Sequence, residues 1–142
     1  MSTRTTDAEF SWLIGQRVKG IDLAYPALAF TAGTLFLNCA WRLRDDEVVH
    51  LGSAEFDENL AGERFGRLGH LLVDLLMNRT IEALRHDAIV SDLSLYFEGG
   101  LRLDAFNDSA LYEGWEISGP HGLLVTATPA GSIGSWQTGV PT

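Results

Sequence analysis

Two stretches of the chain share one pattern of apolar and polar positions. In the first, Leu28-Ala29-Phe30-Thr31-Ala32-Gly33 leads through a short apolar run to Trp41-Arg42-Leu43. In the second, Leu95-Tyr96-Phe97-Glu98-Gly99-Gly100 leads through another to Trp115-Glu116-Ile117. Each alternates large apolar side chains at period two, breaks at glycine, alternates again, and ends on tryptophan, a charged residue and an aliphatic one. Period-two alternation marks strands with one buried face, and glycine between such runs marks a turn. The pattern predicts two β-meanders of similar design. The copies differ by one residue after their glycines, and a one-residue slip exchanges the faces of a strand. The equivalence of Trp41 and Trp115 is therefore left open.

The elements follow from this pattern. Residues 17–23, 27–31, 35–43 and 47–51 read as strands of the first meander, with a bend at Tyr25-Pro26, since proline cannot donate to a central ladder. Residues 93–97, 101–106, 112–117 and 123–128 read as strands of the second, separated by turns rich in Gly, Asn, Asp and Pro. Between the meanders the period changes. Phe65, Leu68, Leu71, Leu72, Leu75 and Leu76 recur at helical spacing, with N-cap candidates at Asp57-Glu58-Asn59. Three glycines weaken the first turns, so the helix is firmest from Leu68 to Met77. Residues 79–86 fit either a continued helix or a strand; the duplicated pattern favours a strand. Residues 129–134 read as a glycine-rich loop, with Trp136 as a last hydrophobic anchor. The predicted class is α+β, a single domain over residues 8–137. Two antiparallel meanders make a curved or barrel-like sheet with one central helix packed on it. Residues 1–7 and 138–142 are expected to be flexible tails.

Composition narrows the partners. The 142 residues are 46% hydrophobic and 20% charged, enough to build a core without staples. A formal net charge of −9 and a pI near 4.7 argue against nucleic acid, which needs clustered Lys and Arg, and against anionic membrane surfaces. They leave open a basic protein partner. The single cysteine, Cys39, excludes an intrachain disulfide, and the polar N-terminus lacks the apolar stretch of a signal peptide. A cytoplasmic protein is expected, and exposed sheet edges make a homodimer plausible.

Chemistry is sparse. His50, His70, His86 and His121 show no metal-pair spacing. Cys39 lies in an apolar run and reads as a structural cysteine. Residues 131–135 lack the lysine of a phosphate-binding loop. No catalytic, cofactor or metal residue is assigned. The richest segment is acidic and aromatic: Asp104, Asp108, Glu113 and Glu116 alternate with Phe106, Tyr112 and Trp115. As an interaction surface its candidates are Phe106, Asp108, Tyr112, Glu113 and Trp115. As an acid–base site it needs two of its carboxylates to converge in a cleft. As plain structure it is a core tryptophan amid solvated acids.

With Cys39-Ala-Trp-Arg-Leu43, Leu95-x-Phe97-x-x-Gly100-Leu-x-Leu103 and Tyr112-Glu-Gly-Trp115-Glu116 in place, the chain resembles a group of small bacterial proteins of unknown function. Some of these are similar to immunity proteins of bacterial toxin systems. The resemblance implies no catalytic residue. The expected function is a non-enzymatic, immunity-like protein-binding module. The alternative is a small-ligand module with an apolar cavity between helix and curved sheet.

Overall fold

The computed structural model describes residues 3–4, 10–23, 26–56, 63–109 and 111–137. The chain runs through strands Thr3–Arg4 (β1), Gly20–Asp22 (β2), Ala27–Ala29 (β3), Thr34–Leu37 (β4), Ala40–Arg44 (β5) and Val49–Gly52 (β6). Helix Glu63–Leu76 (α1) follows. Then come strands Ile81–Asp87 (β7), Leu93–Phe97 (β8), Arg102–Phe106 (β9), Trp115–Ser118 (β10), Leu123–Ala127 (β11) and Ile133–Gln137 (β12). They form two open, six-stranded antiparallel sheets, ordered β1-β7-β8-β9-β5-β6 and β12-β11-β10-β4-β3-β2. The α+β class and the antiparallel meanders hold. The barrel-like closure does not, because the strands divide between two sheets.

The division interleaves the two halves. Strands β2, β3 and β4 lie in one sheet, and the chain then crosses so that β5 and β6 complete the other. The second half does the reverse: β7, β8 and β9 join β5, and β10 and β11 return to β4. Registers match across the two sheets. In one, Ile21, Leu28, Leu35, Ile117 and Val125 stand opposite one another in a row. In the other, the row is Leu84, Leu95, Leu103, Leu43 and Leu51. Apart from the half-buried Ile21, every member is buried in the core. Each fully buried aliphatic side chain is worth about 1.5–3 kcal/mol, so these rows dominate the stabilisation.

The same registers settle the two tryptophans. Trp115 stands opposite Leu37, and Trp41 opposite Ala105, each one step along from its aliphatic row. Both are buried, so they are equivalent. The one-residue slip is absorbed in the turns: Phe30 N–H bonds the Gly33 carbonyl, whereas Phe97 N–H bonds that of Leu101.

Three expectations change. Residues 35–43 are two strands, split at Asn38 and Cys39 where the chain passes between sheets. Leu35, Leu37, Trp41 and Leu43 all point inward, so the alternation runs through the crossing in phase and cannot reveal it. Residues 133–137 form an edge strand paired with β11, hidden in the sequence by Gly134 and the nearby Ser132 and Ser135. Thr3–Arg4, expected to be tail, pairs with His86 and Asp87. The strand expected at 79–86 is present as β7. The N-cap candidates 57–59, Tyr25, the side chains of Phe65 and Trp136, and the tail 138–142 lie outside the described residues.

The helix does not lie across one sheet but covers the flank between the two. Leu72 and Leu76 pack there among Ile21, Leu28, Trp41 and Leu103. The space left in this contact is about 10 Å³, room for about one water molecule. At this contact there is no room for the ligand-sized apolar cavity of the alternative reading.

Gly33 and Gly100 are needed for different reasons. Gly100 has φ +84°, a left-handed conformation that favours glycine. Gly33 has no positive φ, but a Cβ there would run into the Ser118 carbonyl and the Trp12 ring. Backbone cannot yield as a side-chain tip can. Gly33→Ala is expected to cost about 2–3 kcal/mol by overpacking, and Gly100→Ala about 1 kcal/mol by conformation. Chemical denaturation of both variants checks the order; an equal or smaller loss at Gly33 contradicts it.

Candidate functional site

The crossings between sheets after β4 and after β9 come together at one end of the molecule. Asn38 and Cys39 from the first line a cleft of about 550 Å³ with Asp108, Tyr112 and Glu113 from the second. Trp41 and Phe56 lie beside them, their rings 5.6 Å apart. The crossings are unequal. From Leu37 to Trp41 the chain takes four steps; from the equivalent Ala105 to Trp115 it takes ten. Six residues beyond what the crossing requires therefore sit at this end.

This longer crossing is held by its own hydrogen bonds. Asn107 donates from its backbone to Asp92 Oδ1 at 2.8 Å, and from Nδ2 to the carbonyls of Val90 and Thr128 at 3.0 and 2.9 Å. Ser109 Oγ accepts the N–H groups of Leu111 and Tyr112 at 3.0 and 2.9 Å. The turn so fixed presents Leu111 and Tyr112 outward, 78% and 72% exposed. The neighbouring β7–β8 turn is built likewise, with Asp87 Oδ1 accepting the N–H groups of Ile89 and Val90. Its Ile89 and Val90 are exposed too. Four of the eight exposed large hydrophobic residues among those described thus belong to two turns tied together by Asn107.

Carboxylates accompany this apolar surface. Burial raises the Asp92 carboxyl, and the charges of Asp87, Asp108 and Asp104 add to that, against a lowering by the Asn107 N–H bond. The Cys39 thiol is pushed up to about 12, first by burial and then by Asp108 and Asp92, against a backbone bond to Phe106. It stays protonated at neutral pH and is a poor nucleophile. The end carries a concentrated negative field.

A family model covering residues 10–137 matches the chain, that of a family of unknown function, DUF6188. The chain belongs to that family. No curated protein and no solved structure matches it. The DUF6188 match spans both meanders and both crossings. Among the described residues no helix is long and apolar enough to cross a membrane, and no three His, Cys, Asp or Glu groups meet as a metal site.

The residues singled out in this DUF6188 chain part company. Asp108, Tyr112 and Glu113 share the cleft. Phe106 lies on the outward face of β9, with the Arg42 guanidinium 5.1 Å from its ring centre. Trp115 is fully buried. Its Nε1 donates to the Ser91 carbonyl at 2.7 Å and its ring meets Phe10 edge-on, so it supports the β7–β8 turn from beneath. The carboxylates Asp104 and Glu116 lie on the outward faces of opposite sheets. Glu116 accepts from Thr126 Oγ1. Burial pushes the Asp104 carboxyl up, but bonds from Ser94, Arg42 and Arg102 outweigh it and hold the group below its ordinary value. Ile89, Val90 and Leu111 were not anticipated. Apolar residues among turn formers, out of phase with any strand, are the signal that marks them.

Two outcomes separate support from surface. Tyr112→Ala is expected to change stability by less than about 0.5 kcal/mol, as at exposed sites generally. Trp115→Phe, which removes the buried indole bond, is expected to cost about 1–2 kcal/mol. Thermal and denaturant unfolding measure both, and a larger loss at Tyr112 contradicts the assignment. Asp104 gives a pH signature. Because its folded pKa is depressed, its contribution is complete above the unfolded value of about 3.9 and is lost as pH falls through the lower folded value. Stability of the native chain should therefore fall more steeply below about pH 4 than that of Asp104→Asn. Parallel acid titrations of the two proteins rule this out if their slopes agree.

Proposed function

We propose that this protein is a non-enzymatic binding module whose loop-bearing end docks a basic protein, in the manner of an immunity protein that covers a toxin's site. One observation carries the reading: the second crossing is six residues longer than its counterpart and spends them on an ordered turn that exposes Leu111 and Tyr112. Long connections on a rigid scaffold are where binding residues concentrate. Burying each of these side chains on a partner contributes about 1.5–3 kcal/mol. The turn is already fixed by Ser109 and Asn107, so little ordering cost opposes the gain.

Charge supports a basic partner. Asp87, Asp92, Asp108 and Glu113 surround the apolar turns, and the chain carries −9 overall, so encounter with a cationic surface is steered by long-range attraction. The non-enzymatic part of the reading draws on Cys39, held as a neutral thiol, and on the dispersal of Asp104 and Glu116 onto separate faces. The acidity and the single cysteine suit the cytoplasm.

Affinity capture with the native chain and with a Leu111→Ser/Tyr112→Ala double variant tests the proposal. A basic protein retained by the native chain, released by salt, and bound about 100-fold more weakly by the variant is expected from the loss of two anchoring side chains. Retention by the double variant at native strength, with its fold intact, overturns it.

A further inference from the structure

The cleft beside the exposed turn is lined by two kinds of chemistry. Trp41, Phe56 and Tyr112 bring aromatic rings to it, and Asp108 and Glu113 bring carboxylates. Among the described residues no lysine, arginine or histidine lines it. Trp41 is buried, Phe56 half-buried and Tyr112 exposed, so the rings run from the core out to solvent. At about 550 Å³ the cleft falls within the range of about 300–1,000 Å³ typical of ligand sites.

Its two carboxylates differ from their neighbours. Asp104 is neutralised by Arg42 and Arg102, Glu116 accepts from Thr126, and Asp87 and Asp92 accept backbone N–H groups. Among the described residues no hydrogen bond or ion pair reaches the side chain of Asp108 or Glu113. Their charge is left to water, and that of Asp108 reaches across the cleft, where it helps to keep the Cys39 thiol protonated. The donor set does not suit a metal ion, because the protonated thiol is a poor ligand and no three His, Cys, Asp or Glu groups among the described residues meet as a metal site. An anion is repelled by both carboxylates, and a neutral apolar group leaves them without a counter-charge. A flat cation satisfies both chemistries. A guanidinium stacks on aromatic rings and donates in a fork to carboxylates, whereas an ammonium offers the charge without the plane.

We propose that the cleft receives an arginine side chain of the basic partner, its plane against the aromatic rings and its N–H groups toward Asp108 and Glu113. This rests on the docking reading and adds to it the residue type that the partner presents. Leu111, next to Tyr112 on the turn, buries apolar surface beside the cleft, and the arginine supplies the charged contact that fixes the register. Arginine and aromatic residues dominate binding energy where a ring of weaker contacts excludes water. Exclusion matters, because a solvated carboxylate–guanidinium pair gains little and gains more once the partner covers it.

The probe is a blocked tripeptide, acetyl-Gly-Arg-Gly-amide, titrated into the full chain and followed by the backbone amide NMR signals of the protein. It is expected to shift the signals of Asn38, Cys39 and Gly114 saturably, with an affinity that falls as salt is added. Citrulline in place of the arginine keeps the shape and loses the charge, and is expected to bind about tenfold more weakly. Lysine keeps the charge and loses the plane, and is expected to bind about threefold more weakly. The double variant Asp108→Asn/Glu113→Gln changes two exposed side chains outside the core and is expected to weaken the arginine peptide about tenfold. Absence of binding, or shifts spread over the acidic surface rather than centred on the cleft, overturns the proposal. So does equal affinity for the citrulline or lysine peptide, or equal affinity of the double variant. No partner is needed, so failure here is read separately from failure of the capture experiment. Capture that depends on Leu111 and Tyr112 but not on Asp108 and Glu113 leaves the docking reading standing and overturns the arginine.

Discussion

Neither sheet is complete without strands from the other half of the chain, and the rest of the structure depends on that constraint. Leu35 of the first half needs Ile117 of the second beside it, and Leu103 of the second needs Leu43 of the first. Each aliphatic row is therefore buried only when both halves are present. The helix, by covering the flank with Leu72 and Leu76, seals what the interleaved sheets leave open. Pairings so distant in sequence carry a loop-closure cost that local hairpins do not, so folding is expected to be slow relative to a simple meander.

The constraint also places the candidate site. The chain changes sheet between β1 and β2, between β4 and β5 and between β9 and β10, and the last two crossings lie at one end. The earlier of these two is made with Asn38 and Cys39 alone. The second carries Leu111 and Tyr112 on a turn braced by Ser109 and Asn107, above a tryptophan that never reaches the surface. Inward positions of the two halves are nearly interchangeable; outward ones are not. One outward face bears Phe36 and Glu116, the other Asp104 under two arginines, and the end between them bears the acids and exposed apolar side chains.

Much of this was legible from residue pattern, and the failures have physical causes. Alternation at period two identified the strands and their buried faces, because burial on one side leaves that trace. It could not show the crossing at Asn38, since the inward phase continues unbroken from Leu37 to Trp41. It could not show that the slip after Gly33 and Gly100 is absorbed in turns of different length, which depends on hydrogen bonds from Phe30 and Phe97. Asp108, Tyr112 and Glu113 were recognised by composition, and the structure brings them to one cleft. Trp115 looked like their neighbour because sequence distance carries no burial. The pairing of Arg42 with Asp104, 62 residues apart, follows from strand order alone, which no local pattern encodes.

Fragment complementation tests the interleaving most directly. The chain is divided within residues 57–62, after β6 and before α1, and the two pieces are prepared separately and mixed. Neither piece alone should show a cooperative unfolding transition or a buried-tryptophan emission spectrum. An equimolar mixture should recover both, with a midpoint that rises with concentration. A single piece that folds cooperatively by itself, with its strands intact, contradicts the account.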